Sequence, residues 1–106
     1  MVPNRKVIAF RTLLARDENG LEFELTITVG APYEISENEW ACPASMEGLY
    51  ERLADMHGVD SWQALQEALK LIARMLVYFV EDGGRLFDPE DRTPVTTEEL
   101  FPQLAA

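Results

Sequence analysis

The stretch Asp60–Gly84, DSWQALQEALKLIARMLVYFVEDGG, decides the fold, because it reads as one long helix with its own start and stop signals. Asp60 or Ser61 can set a side-chain oxygen over the free amides of the first turn. Gln63, three residues after Asp60, is the reciprocal member of a capping box. Apolar residues recur at Trp62, Leu65, Leu69, Ile72, Leu76 and Phe79, steps of three and four that follow one side of a 3.6-residue turn. A second line, Ala64, Ala68, Leu71, Met75 and Tyr78, widens the stripe to roughly half the circumference. Gln63, Gln66, Glu67, Lys70, Ala73, Arg74 and Val77 are left for the opposite side. Glu81 and Asp82 are poorly placed at the negative end of the helix dipole, and Gly83 or Gly84 supplies the left-handed residue that ends a helix. The spacing predicts a helix over residues 61–82, with a stripe so broad that only a sheet covers it.

The segment before it supplies that sheet. Arg5–Ala15 reads as a strand in which Ile8, Phe10, Thr12 and Leu14 alternate with Val7, Ala9, Arg11 and Leu13, apolar on both sides near its start. Arg16–Gly20 is the connection, with Asn19 and Gly20 suited to positive φ. Leu21–Val29 is the cleanest strand: Leu21, Phe23, Leu25, Ile27 and Val29 face one way, and Glu22, Glu24, Thr26 and Thr28 the other. A two-stranded ribbon alone is marginal, so its dry side is expected to lie under the helix.

Residues between hairpin and helix are harder to read. Tyr33–Glu39 reads as a loop or irregular edge, and the region from Tyr33 to Cys42 could present a sheet edge for pairing with another chain. Trp40–Pro43 reads as a short edge strand ended by proline, and Ala44–Gly48 as a turn. Leu49–Met56 fits helical and alternating patterns alike and is read as strand-like or a loose connector, with His57–Val59 turning into the helix. After the helix, Arg85–Phe87 is a short extended piece and Asp88–Pro94 a surface loop. Thr96 with Glu99 makes a second capping box, flanked by Val95 and Leu100 as a hydrophobic staple, so a short helical turn follows with Leu100, Phe101 and Leu104 as its anchor.

The chain has 106 residues and a formal charge of −10, enough for one domain over residues 1–106 and no second core. Residues 34–60 carry seven acids and one base, and residues 81–106 seven acids and two bases, so one end of the domain is expected to be negative where the two segments meet. Such a field disfavours nucleic acid and anionic membrane and favours a basic protein partner. No apolar run spans a bilayer, MVPNRK lacks the apolar core of a signal peptide, and the single Cys42 fits a reducing compartment, so the expected location is cytoplasmic.

No motif carries chemistry by its spacing. Cys42, His57 and Asp60 have the residue types of a nucleophile, base and orienter, without a spacing that makes them meet. Asp82, Asp88, Glu90 and Asp91 offer oxygen ligands but not the order of an EF-hand. No metal site and no cofactor are expected. Trp40, Tyr50, His57, Asp60 and Trp62, with Tyr33 nearby, gather around the connection of sheet and helix and are the candidate binding residues, since Trp and Tyr are common interface anchors.

The run WACPASMEGLYERLADMHGVDSWQAL, residues 40–64, followed by a long helix and an EDGG stop, resembles a family of short uncharacterised bacterial proteins in which a GVDSWQAL-like segment opens the main helix. The resemblance spans about Arg5 to Leu100. It implies a bacterial cytoplasmic origin and a strand-then-helix order, and it transfers no catalytic residue.

The expectation is therefore an α+β domain: a small antiparallel sheet, made of the N-terminal hairpin plus one or two further strands, packed on one long amphipathic helix, with a short C-terminal helical turn. Function is expected to be that of a non-enzymatic protein-binding module of the immunity or accessory kind. Two other readings stand beside it: a small hydrolase or ligand-binding protein using Cys42, His57 and Trp62, and a structural homodimer.

Overall fold

A computed structural model describes residues 6–50 and 53–102 of the chain. Expectations falling on Arg5, Glu51, Arg52 and Leu104 lie outside those residues. The element order is β1 (Val7–Arg16), β2 (Glu22–Gly30), β3 (Tyr33–Ser36), β4 (Glu39–Cys42), β5 (Ala44–Glu47), β6 (Met56–Gly58), α1 (Ser61–Glu81), β7 (Arg85–Phe87) and α2 (Thr97–Leu100). The fold is α+β, with the N-terminal antiparallel sheet packed against one long helix and a short helical turn at the C-terminal side.

The β1–β2 hairpin forms as its alternation dictates, with Leu13 opposite Leu25 and Thr12 opposite Thr26. Its turn is held by Asp17, whose Oδ1 accepts from the amides of Asn19 and Leu21, each at 2.9 Å. Gly20 alone takes the positive φ there, at 86°. Leu13, Ala15, Leu25, Ile27 and Val29 face the core. Leu21 falls in the turn and is exposed, because the strand begins one residue later than its pattern suggests. On the open face Glu22 accepts from Arg16 at 2.7 Å and Arg92 at 2.6 Å, and these bonds, with Arg16 first, hold its carboxyl below the usual range. Two more strands complete this sheet in the order β5-β2-β1-β7.

A second sheet, β3-β4-β6, was not anticipated in full. Tyr33–Ser36 is a strand rather than a loop, joined to β4 by Glu37 and Asn38, the latter at φ 60°. Ala44–Glu47 is a strand rather than a turn: Pro43 is the corner at which the chain leaves one sheet for the other, its carbonyl accepting from the Gly30 amide at 2.9 Å. Met56–Gly58 is a strand that pairs with β4, matching Trp40 with Gly58 and Cys42 with Met56, so Met56 is extended as one of its two readings had it, and His57 and Gly58 are strand rather than turn. Within the ambiguous 49–56 segment, Leu49 and Tyr50 close a turn on Met46 and Leu53 packs on the core.

Helix α1 begins and ends as the sequence dictates. Asp60 Oδ1 accepts from the Gln63 amide at 2.8 Å, and the Gln63 carboxamide reaches back to the Val59 amide at 2.7 Å, one residue before the cap. At the other end Gly83, at φ 104°, donates to the Val80 carbonyl and Gly84 to the Phe79 carbonyl, the paired hydrogen bonds of a Schellman stop. The buried stripe is Ala64, Ala68, Ile72, Leu76 and Phe79, which joins the hairpin's inner face in one core. It is small at the start and large at the end, and the strands nearest along the helix are β6 and β4.

Three helix positions depart from expectation. Trp62 lies on the far side of the helix from Ala64 and is exposed, and Tyr78 sits at the stripe's margin in solvent. Ala73, expected outside, is buried. It stands two turns before Val80 on one face, and Val80 shares a groove with Thr97 and Glu98, so the C-terminal turn gives the helix a second cover. That turn is capped as read, with Thr96 Oγ1 accepting from the Glu99 amide at 3.1 Å.

Gly58 is the close fit between strand β6 and the helix. A Cβ there would stand 2.5 Å from the Ala64 nitrogen and 2.8 Å from Gln63 Cβ, so strand and helix meet backbone to backbone. Gly58→Ala is expected to lower the unfolding free energy by about 1–3 kcal/mol, the usual cost of forcing atoms into a filled site. Chemical denaturation checks this: the midpoint falls and the slope is unchanged.

Candidate functional site

The five candidate residues differ in what they do in the fold. Trp40 and Tyr50 are half-buried and pack against the core, their aromatic bodies used in folding. His57 is exposed on β6, its Nδ1 3.3 Å from Glu39 Oε2. Asp60 is spent on the helix cap. Trp62, in the first turn of α1, is 71% exposed, and Val59 two residues before the helix is 60% exposed. Tyr33 is turned to the Asp55 carboxylate, donating its hydroxyl at 2.6 Å.

What the structure does place together is an apolar projection and an acidic hairpin. Val59 and Trp62 stand out from a backbone fixed by the Asp60 and Gln63 cap bonds. The β3–β4 hairpin carries Glu34, Glu37 and Glu39 and is tied to the same end of the helix by the pairing of Trp40 with Gly58 and by the Glu39–His57 contact. The second acidic segment lies elsewhere. Glu81 and Asp82 are at the helix's other end, where Gly83 approaches Glu18 of the β1–β2 turn. The 21 residues of α1 put about 30 Å between the two ends, so the acidic segments are held apart rather than joined.

Cys42 and His57 are not brought together. Cys42 is opposite Met56 and His57 opposite Ala41, and adjacent positions on a strand point to opposite faces. Cys42 is fully buried and its Sγ donates to the Gly30 carbonyl at 3.3 Å. Burial pushes its thiol from 9.0 up to about 11, and the Asp55 carboxylate pushes the same way. Among the described residues no three His, Cys, Asp or Glu side chains are arranged to hold a metal, and no helix is long and apolar enough to cross a membrane.

One feature escaped sequence reasoning. A groove of about 420 Å³ opens beside the end of α1, lined chiefly by Val80, Leu86, Phe87, Pro94, Val95 and Thr97. It arises because Val95 donates to the Leu86 carbonyl at 2.9 Å, folding the last loop across β7. No local pattern announces a contact of that kind.

The Cys42 environment has a readable consequence. A thiol-specific disulfide reagent at pH 8 is expected to label the native protein far more slowly than the protein in denaturant, since a buried thiol above its ordinary pKa presents almost no thiolate. Because the folded pKa is the higher one, its contribution is intact below about pH 9 and is lost as pH rises toward 11. Denaturation midpoints measured across that window should fall less in Cys42→Ala than in the parent.

No curated protein matches the chain, and no solved structure does. Residues 9–92, which include every strand but the start of β1, the whole of α1 and the GVDSWQAL segment, match the family described as Domain of unknown function (DUF6968). With most of its length inside that match, the chain belongs to the DUF6968 family.

Proposed function

We propose that this domain is a protein-binding module of the immunity or accessory kind, and that it engages its partner through the start of α1. The observation that carries this reading is Trp62: a large aromatic side chain, 71% exposed, on a helix whose first turn is locked by two cap bonds. Tryptophan in solvent contributes nothing to the core, whereas on a rigid mount it is the residue type that most often dominates binding energy. Val59 extends the apolar surface. Glu39 and Asp60, with Glu34 and Glu37 on the hairpin tied to the same end of the helix, give that end negative charge. A partner that fits presents an apolar pocket for the indole, with lysine or arginine around it.

Trp62 also separates binding from folding, because its removal leaves the core intact. Replacing it with alanine is expected to change stability by no more than about 0.5 kcal/mol, as for most surface positions. Tagged full-length protein should capture a partner from its host lysate at low ionic strength. The capture should weaken at about 0.5 M salt, where screening acts within roughly 4 Å, and disappear in Trp62→Ala. Capture that is indifferent to salt and to Trp62 would sink the proposal.

A further inference from the structure

Among the described residues, the first half of β1 is a free sheet edge. Strand β7 pairs with β1 only at Leu14, Ala15 and Arg16, so among the described residues nothing pairs with the outer edge of Val7–Leu13. This half also overhangs the core. Val7, Ile8, Ala9, Phe10 and Arg11 are all exposed, Phe10 at 71%. Seven residues of a strand leave three or four amides and as many carbonyls turned outward without a ladder partner.

We propose that this edge pairs with the same edge of a second copy, antiparallel about a two-fold axis through Phe10, to make one continuous sheet across a homodimer. Two observations select a second copy. The first is self-complementarity: with Phe10 on the axis, Ala9 faces Arg11, Ile8 faces Thr12 and Val7 faces Leu13. Aromatic meets aromatic at the centre, and Arg11 lies against alanine rather than against itself. The second is charge. Residues 1–16 contain no carboxylate, so pairing along this strand keeps the 19 acids of each chain out of the seam, where Lys6 and Arg11 are the nearby charges and Arg11 lies beside the alanine of the other copy. The bulge that shifts register between Val7 and Ala9 falls toward the end of this ladder and leaves its centre regular. The dimer surface is built from β1 and does not use Trp62, so the two proposals are tested by different substitutions.

Light scattering on the full-length protein over a concentration series tests the proposal. The expected mass rises to about 24 kDa, twice the 12.0 kDa chain, and returns to 12.0 kDa in Phe10→Lys with an unchanged circular dichroism spectrum. Register is read separately by cysteine pairs. Phe10→Cys sets two thiols on facing residues with Cα atoms about 5 Å apart, which suits a disulfide. Thr12→Cys sets its pair about 13 Å apart, which does not. Covalent dimer from Phe10→Cys but not from Thr12→Cys supports the pairing. A 12.0 kDa mass at the highest soluble concentration, which would leave the edge to a different protein, overturns it. So does a dimer that survives Phe10→Lys, or equal cross-linking at both positions.

Discussion

The absence of a side chain at Gly58 sets how closely strand and helix approach, and the rest of the structure depends on that distance. With β6 lying on the first turn of α1, the helix can carry only Ala64 and Ala68 on its buried side there. Larger residues return at Ile72, Leu76 and Phe79, where the hairpin sheet stands further off and bulk is needed to reach Leu13, Leu25 and Leu86. The taper of the stripe and the glycine are thus one device: a helix set close to the small sheet and propped away from the large one. Phe79 shows the limit of the same geometry at the opposite end, its ring meeting Phe23 edge-on at 6.1 Å between centroids.

This arrangement also decides what is left outside. A helix held by one side near its start must turn the other side to solvent, and Trp62 is on that side. Nothing in the packing of the domain requires an indole there, so its presence is a feature of the surface. The acids are distributed around both ends of α1, and the net charge of −10 therefore acts as two separate fields rather than one.

The long elements were legible in the sequence because each repeats its pattern enough times to be read. Glu22–Gly30 alternates over nine residues, and Ser61–Glu81 carries its stripe through 21 with a cap at each end. The strands Ala44–Glu47 and Met56–Gly58 have four and three residues, too few for a period of two to stand out, and they are strands because of what they lie beside. Pro43 was read as an end when it is a corner, since a missing donor looks the same in both. The candidate site was legible only in part. Trp62 and Trp40 look alike in sequence, and only burial separates the one that packs from the one that projects. Ala73 is buried although helical spacing puts it outside the stripe, and the C-terminal turn, which contacts α1 from the end of the chain, is a cover that such spacing does not register.

The corner at Pro43 ties the dynamics of the two sheets together. One uninterrupted segment, Glu39–Glu47, is hydrogen-bonded into both, and the Cys42 thiol and the Pro43 carbonyl each bond to Gly30 where β2 ends. Because the same segment is bonded into both sheets, the amides of β4 and β5 are expected to open together in hydrogen exchange. The overhang at Val7–Phe10 pairs with β2 alone, so in a single copy of the chain it is expected to open at lower free energy than the doubly tied middle of the domain.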